Sequence, residues 1–387
     1  MALPLSYNVR NVIVRWRSTL ATILGIGLVV AVYVLVQALA AGLEKSSGNT
    51  GDPRNILIVR KGSTAESSSQ VTRDQLKTVQ FWSEISRTPD GRPLLSADVL
   101  VLINHPRQNG AGEANILVRG VSALGVELRP QVKLVEGRWF TPGKREIIVS
   151  RRMAARFDKF QIGDRFRTAG QELTVVGWID GGSSAFDSEA WMDADEARSI
   201  FDRSNYSSLL VRVGGPAEAT NILRRLDTDK RLPLRAYVET EYYKSQTMTA
   251  RPIKWLGNFL ASAMSIGAVF AAMNTMYASV GARTREVGTL RVLGYRRRTI
   301  LLSFMIEGAF LAMLGGVLGC VLAMPMNGYA TGTLSFETFS EVAFQFRITP
   351  QLMGQGILFA IIVGCVGSFL PAVRASRLPV IAALKSL

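Results

Sequence analysis

The sequence predicts an α-helical membrane protein with four transmembrane helices and a large extracytoplasmic α/β domain inserted between helices 1 and 2. Three observations carry this. Four apolar stretches, at about residues 20–43, 255–280, 300–324 and 352–372, reach the roughly 20 residues that a helix needs to cross a bilayer. Among them they hold one charge, Glu307. Between the first two lies a 44–254 segment with short β-rich runs and helical patterns. The net charge of +15 is crowded onto the membrane flanks.

Residues 1–19 hold Arg10, Arg15 and Arg17 and no acid. Leu5, Val9, Val12, Ile13 and Trp16 recur at spacings of three and four, which predicts an interfacial amphipathic helix. The first span, 20–43, ends near an Ala38-x-Ala40 pattern, but its apolar run exceeds the roughly 7–15 residues of a signal-peptide core, so a retained helix is expected.

In the 44–254 segment, strands are expected at 55–60, 97–103, 115–121, 145–150 and 172–179, and helices at 74–82, 151–157 and 193–201. A strand–helix–strand unit follows at 207–213, 216–226 and 232–238. The early strands are expected to pair with that unit, leaving about 110–200 as an inserted lobe. Residues 61–70 and 181–188 read as flexible loops. From Glu241 a helix is expected to run into the second span, 255–280, with Tyr242, Tyr243 and Trp255 near the membrane face.

The loop 281–299 carries six arginines and one carboxylate, Glu286. The third span is 300–324, a short extracytoplasmic loop 325–351, the fourth span 352–372 and the tail 373–387. That tail has Arg374, Arg377 and Lys385 and no acid, whereas 325–351 sets Arg347 against Glu337 and Glu341. Basic residues close to membrane ends stay cytoplasmic, and long segments cross largely regardless of charge. Both termini and 281–299 are therefore expected inside, with 44–254 outside, although that segment holds 32 basic and 26 acidic residues. The same distribution argues against nucleic acid as a partner: the positive charge belongs to the bilayer. Arginine outnumbers lysine thirty-five to ten along the chain, so its choice in the loop carries little information.

Several chemistries lack their residues. His105 is the sole histidine, and such a residue is expected at the surface. Cys320 and Cys365 both fall in spans, so no metal-ligand cluster is expected in the inserted domain. Metalloprotease, serine-hydrolase and P-loop patterns are missing. The acidic run at 193–197 lacks the glycine and closing glutamate of an EF-hand and reads as a helix start. No catalytic residue, metal or resident cofactor is expected.

Two features remain. Gly308, Ala312 and Gly316, with Gly315, Gly319 and Ala323, give the third span small residues at four-residue spacing, a helix-packing pattern. Glu307 sits roughly 10 Å into that span at 1.5 Å per residue. A carboxylate there needs a partner, and an arginine of the adjacent loop is expected. In the loop, Val287, Leu290 and Leu293 (or Gly294) form an apolar stripe among Arg283, Arg285, Arg291 and Arg296–Arg298. Glu286 has only Arg283 at i−3, worth at most about 0.2–0.5 kcal/mol. Local helix stability hardly explains it, and a partner protein is expected there.

The stretch from Asn274 to Gly319 closely resembles the signature of the mechanotransmission (type VII) ABC permeases, the family of MacB, LolC, LolE and FtsX. Its pattern falls on Asn274, Thr275, Met276, Val280, Arg283, Arg285, Glu286, Val287, Gly288, Leu290, Arg291, Val292, Leu293 and Gly294. Glu307–Gly308 and the ending at Pro371, Arg374, Ala375, Pro379, Ala382 and Leu384 match as well. The resemblance covers all four spans, while the 44–254 domain matches by layout. It implies a bacterial inner-membrane permease subunit working as a dimer beside two separate ATPase subunits that bind ATP and Mg. Residues 281–299 would be the helix coupling permease to ATPase, through Arg283 to Gly294. The task would be efflux or lipid or lipoprotein extraction, with membrane lipid and a periplasmic adaptor as further contacts. The alternative is an FtsX-like regulator of an extracytoplasmic hydrolase. A two-lobed domain of this size fits the first better.

Overall fold

The computed structural model describes residues 16–110, 112–245, 250–334 and 341–378. The expected interfacial helix falls almost wholly outside them, as does the tail beyond 378. The chain divides into two compact units, one of residues 1–41, 251–329 and 345–387 and one of residues 42–250 and 330–344.

Among the described residues of the first unit, four helices are long and apolar enough to cross a membrane. They are Thr19–Ser46, Trp255–Ala282, Arg297–Met326 and Pro350–Ser376, with mean hydropathies of 2.5, 1.6, 2.1 and 2.3. The small residues of the third helix explain how close it comes to its neighbours. Gly308 and Gly316 face the fourth helix, where an added Cβ would lie 2.5 Å from Ser368 Cβ and 2.9 Å from Ala360 Cβ. Ala312 fits against Gly364 in the same seam. Gly315 and Gly319 instead face the first helix, with Ile26 at 3.0 Å and the Gly27 carbonyl oxygen at 2.5 Å from a Cβ built there. The single stripe seen in sequence is thus two seams on two faces, each letting backbones approach as small residues do in membranes. Tyr33 stacks on Phe359 with centroids 4.9 Å apart, tying the first helix to the fourth. Thr22 Oγ1 donates to Thr275 Oγ1 at 2.8 Å, tying it to the second.

The second unit is built on one ten-stranded sheet. Its strands are β1 (Asn55–Arg60), β2 (Leu95–Pro106), β3 (Glu113–Val121), β4 (Lys133–Gly137), β5 (Glu146–Ser150), β6 (Arg165–Thr168), β7 (Gln171–Asp180), β8 (Glu189–Asp193), β9 (Ser208–Arg212) and β10 (Leu234–Val238). The order is β10-β1-β9-β2-β3-β8-β5-β7-β4, with β6 also on β7. The early strand β1 does pair with the late unit, antiparallel to both β9 and β10. The twelve-residue β2 joins the two halves of the sheet: Leu95–Asp98 pair with β9, and Val99–Pro106 with β3. Helices Arg73–Val79 and Pro216–Thr228 cover the first half, burying Ile56, Ile58, Leu209, Val211, Ile222 and Leu226. A second core under the other half is centred on Phe157, Phe160 and Phe166. Residues 325–351, expected as a loop, include a two-stranded pair, β11 (Ala330–Leu334) and β12 (Glu341–Gln345).

Several local expectations change. The helix expected over 151–157 stops after Arg151–Ala154, because Phe157 turns inward to the aromatic core. His105 is not at the surface. It is buried, stacked on Phe160 at 4.4 Å, with its Nε2 2.7 Å from the Asp158 carbonyl oxygen. Burial pushes its imidazole below the usual range, against the pull of that hydrogen bond. Asp193 caps the helix Ala194–Ile200, its Oδ1 accepting from the backbone N–H of Asp195 and Glu196 at 3.1 Å. The acidic run is therefore a helix start.

Both supposed flexible loops insert buried groups, Glu66 and the Phe186–Asp187 pair. Tyr242 and Tyr243 are also buried, on the short helix Glu239–Ser245. Continuity from that helix into Ala250–Ala282 runs through residues 246–249, outside the described ones. Glu66 and Tyr243 meet in a buried charged cluster around Arg119. Arg119 Nε and Nη2 donate to the Glu189 carboxylate at 2.7 and 2.8 Å, and Nη1 to Glu66 at 2.8 Å and Asp98 at 3.2 Å. Tyr243 Oη donates to Glu66 at 2.8 Å, and Trp191 Nε1 to Glu189 at 2.9 Å. Arg129 bonds Asp98 from the other side.

Candidate functional site

The interspan loop begins where the helix Ala250–Ala282 breaks at Arg283 and restarts as Thr284–Val292. Arg283 is 6% exposed and points back among the spanning helices. Its Nη1 donates to Glu307 Oε2 at 2.7 Å, and its guanidinium lies 5.2 Å from the Phe304 ring centroid. Glu307 is itself 5% exposed, with Ser279 Oγ 3.5 Å from its other oxygen. The carboxylate in the third span therefore has a loop arginine as partner. Desolvated charges persist only in such hydrogen-bonded pairs.

Helix Thr284–Val292 ends through Gly294, whose φ of +89° a side chain would strain. Gly294 N donates to Arg291 O at 3.2 Å and Tyr295 N to Leu290 O at 3.1 Å, a Schellman closure that reverses the chain into the third span. Between these fixed ends the candidate residues divide by face. Val287 and Gly288 are buried; Val287 packs with Met276, Val280, Ile300, Phe304 and Ala372. Leu290 and Arg291 are half-buried. Arg285, Glu286 and Gly294 are exposed, as are Val292 at 61% and Leu293 at 70%. The expected Val287–Leu290–Leu293 stripe is thus split: Val287 anchors the loop helix to its own spans, and the outward apolar pair is Val292–Leu293.

Glu286 lies 3.5 Å from Arg283 Nε. Because the helix restarts at Thr284, it also stands in a first turn, where a carboxylate complements the helix dipole by about 0.3–1 kcal/mol. The sequence reading missed this local role, which depends on the break at Arg283.

Four spanning helices, an α/β domain inserted after the first and a pinned basic helix after the second define a multi-pass membrane protein built like a transporter permease. The MacB-like periplasmic core domain matches residues 18–228, and the FtsX-like permease C-terminal domain matches residues 258–380. The chain belongs to the MacB/FtsX-type family of ABC transporter permeases. Among its relatives is the uncharacterized ABC transporter permease YknZ of Bacillus subtilis (strain 168), 28% identical over 275 residues, 66% of each chain. The macrolide export ATP-binding/permease protein MacB of Brucella abortus (strain 2308) is 34% identical over 141 residues, 36% of this chain and 20% of that one. The pyoverdine export ATP-binding/permease protein PvdT of Pseudomonas entomophila (strain L48) is 37% identical over 131 residues, 34% and 18%. The chain thus matches a minor part of the MacB and PvdT lengths. Among solved structures, the extracellular domain of YknZ from Gram-positive bacteria gives a TM-score of 0.35 at 15% identity, covering 47% of this chain and 99% of that one. The periplasmic region of MacB from Actinobacillus actinomycetemcomitans gives 0.37 at 12%, covering 51% and 93%.

Proposed function

We propose that this chain is a permease subunit that couples ATP hydrolysis on separate ATPase subunits to motion of its inserted domain. The motion drives efflux, or extraction of lipid or lipoprotein. In this reading 281–299 and both termini face the cytoplasm and 44–254 the outside, as the positive-inside rule requires of flanking arginines. Two permease subunits stand beside two ATPases that bind ATP and Mg, with an adaptor outside. Relatives named for macrolide and pyoverdine export support the export arm.

The observation that carries the reading is the outward pair Val292–Leu293 on a helix whose other face is pinned by Arg283 and Val287. Solvent-exposed apolar side chains beside Arg285 and Glu286 suit a protein groove better than water. A helix fixed at both ends transmits a push instead of bending under it. Arg283, Gly288, Leu290, Arg291 and Gly294 set its position; Arg285, Glu286, Val292 and Leu293 form the contact.

Cysteine cross-linking tests this seat. With Cys320 and Cys365 replaced by alanine, Leu293→Cys is expected to cross-link to the ATPase in membranes and Val287→Cys not to. Cross-linking at Val287 with none at Leu293 would reverse the assignment of faces.

A further inference from the structure

The arginines at one end of the spanning helices outnumber the acids within their reach. The helix Arg297–Ala323 starts where Pro350–Ser376 ends: Ile300 and Phe304 of the one pack with Ala372 and Ala375 of the other. This brings Arg296, Arg297 and Arg298 to the same end as Arg374 and Arg377, and all five are exposed. The side-chain acids of the interspan loop and these two helices are Glu286 and Glu307, and both face Arg283, at 3.5 and 2.7 Å. Residues 1–19 and 373–387 contain no acid either. None of the five exposed guanidinium groups has a carboxylate partner among the described residues. Arg374 contacts a ring, that of Tyr277 at 5.7 Å, which leaves its charge unbalanced.

Water could solvate such groups, but what lies beneath two of them is apolar. Arg298, Leu302 and Ile306 follow at four-residue spacing, so they share one face of their helix, and all three are exposed. On the neighbouring helix Arg374, Leu370 and Val366 repeat that order, again exposed. Each stripe descends from a guanidinium along the apolar span for about 12 Å at 1.5 Å per residue. This is the order of groups in a phospholipid, phosphate at the interface and acyl chain below it. A guanidinium fork matches phosphate oxygens with paired N–H donors. A zwitterionic headgroup brings its own cation to that phosphate, whereas an anionic one leaves its charge for the arginine.

We propose that this end of the third and fourth spanning helices is a binding surface for anionic phospholipid. Arg298 and Arg374 each hold a headgroup phosphate, and an acyl chain lies along Leu302–Ile306 or Leu370–Val366. Arg296, Arg297 and Arg377 add attraction from beside these contacts. The surface lies on the spans themselves, so the inference goes beyond the coupling reading and stands without it.

The test uses the full chain in lipid nanodiscs, with Cys320 and Cys365 replaced by alanine. A fluorophore is placed on Leu302→Cys and, at the far end of the same helix, on Val321→Cys, which is also exposed. Quenching by brominated phosphatidylglycerol is compared with quenching by brominated phosphatidylcholine. One arginine near a membrane surface favours anionic lipid by about fivefold. A preference of that size is expected at Leu302 and none at Val321. Arg298→Gln is expected to lose most of it and Arg298→Lys to keep it, and about 1 M salt should weaken it by screening. Equal quenching by the two lipids at Leu302 would overturn the proposal. So would an equal preference at both positions, or one unchanged by Arg298→Gln, since either would report the chain's overall charge. Loss of the preference on adding inorganic phosphate at matched ionic strength would show a free-anion site and overturn lipid as the occupant.

Discussion

Replacing Arg283 with leucine is expected to leave little stably assembled membrane unit. The substitution strips Glu307 of the guanidinium 2.7 Å away and leaves a carboxylate 5% exposed among apolar helices. Breaking one half of a buried pair costs about 3–5 kcal/mol, and an acid within a span costs up to about 2.5–3.5 kcal/mol, the insertion-scale figure for the span centre. Either is a large share of the roughly 5–15 kcal/mol that holds a typical protein folded. Glu307→Leu is expected to do comparable harm by stranding Arg283. Removing both charges together should recover most of the loss, since an apolar pair of similar volume often replaces a buried ion pair without penalty. The check is a double-mutant cycle on thermal midpoint and monodisperse yield in detergent. Additive single effects would mean that the two side chains do not act as a pair.

The second large effect is expected at Arg119, in the inserted domain. Its five-donor fork is divided among Glu189, Glu66 and Asp98, with Tyr243 Oη a further 3.2 Å contact. Lysine offers a point charge and cannot reproduce that fork. Arg119→Leu leaves three buried carboxylates competing for Arg129, and at least about 3–5 kcal/mol is lost by the same logic. The domain is expected to become sensitive to limited proteolysis in intact membranes while the four spans still insert. Arg92→Ala, which removes an exposed surface pair with Asp90, is the control and should leave the digestion pattern unchanged. If Arg119→Leu resisted protease as the wild type does, the cluster would not be what holds the two halves of the sheet together.

What the sequence disclosed and what it withheld have separate physical causes. The spans, the strands at Asn55–Arg60 and Glu113–Val121, and the helix at Pro216–Thr228 follow local patterns of apolarity and turn residues. The strand β8 was hidden because its five residues are all buried, giving no alternation, and it runs straight into a helix. Glu66 was hidden in a serine-rich stretch that reads as loop, because its partner Arg119 is 53 residues away. The partner of Tyr243 was hidden for the same reason, its hydroxyl reaching Glu66 across 177 residues. Non-local polar pairs leave no periodicity to find.

The loop behaved similarly. Arg283 and Glu307 were both legible as an arginine and an acid in need of partners, but the break that turns Arg283 inward was not. That break decides the rest. It buries Val287, puts Glu286 in a first turn and leaves Val292 and Leu293 outward. Glu286 then has a modest local role, so its weight as a contact residue rests on its exposure beside that pair.

The central claim is that this loop passes the work of ATP hydrolysis to the inserted domain. The most direct measurement compares Glu286→Ala with wild type in the complex with its ATPase, reconstituted in lipid. Complex assembly, stimulated hydrolysis and nucleotide-dependent movement of a spin-labelled domain are read on the same sample. The account predicts that the complex assembles while stimulation and domain movement are lost together. Assembly with full stimulation and unchanged movement would contradict it.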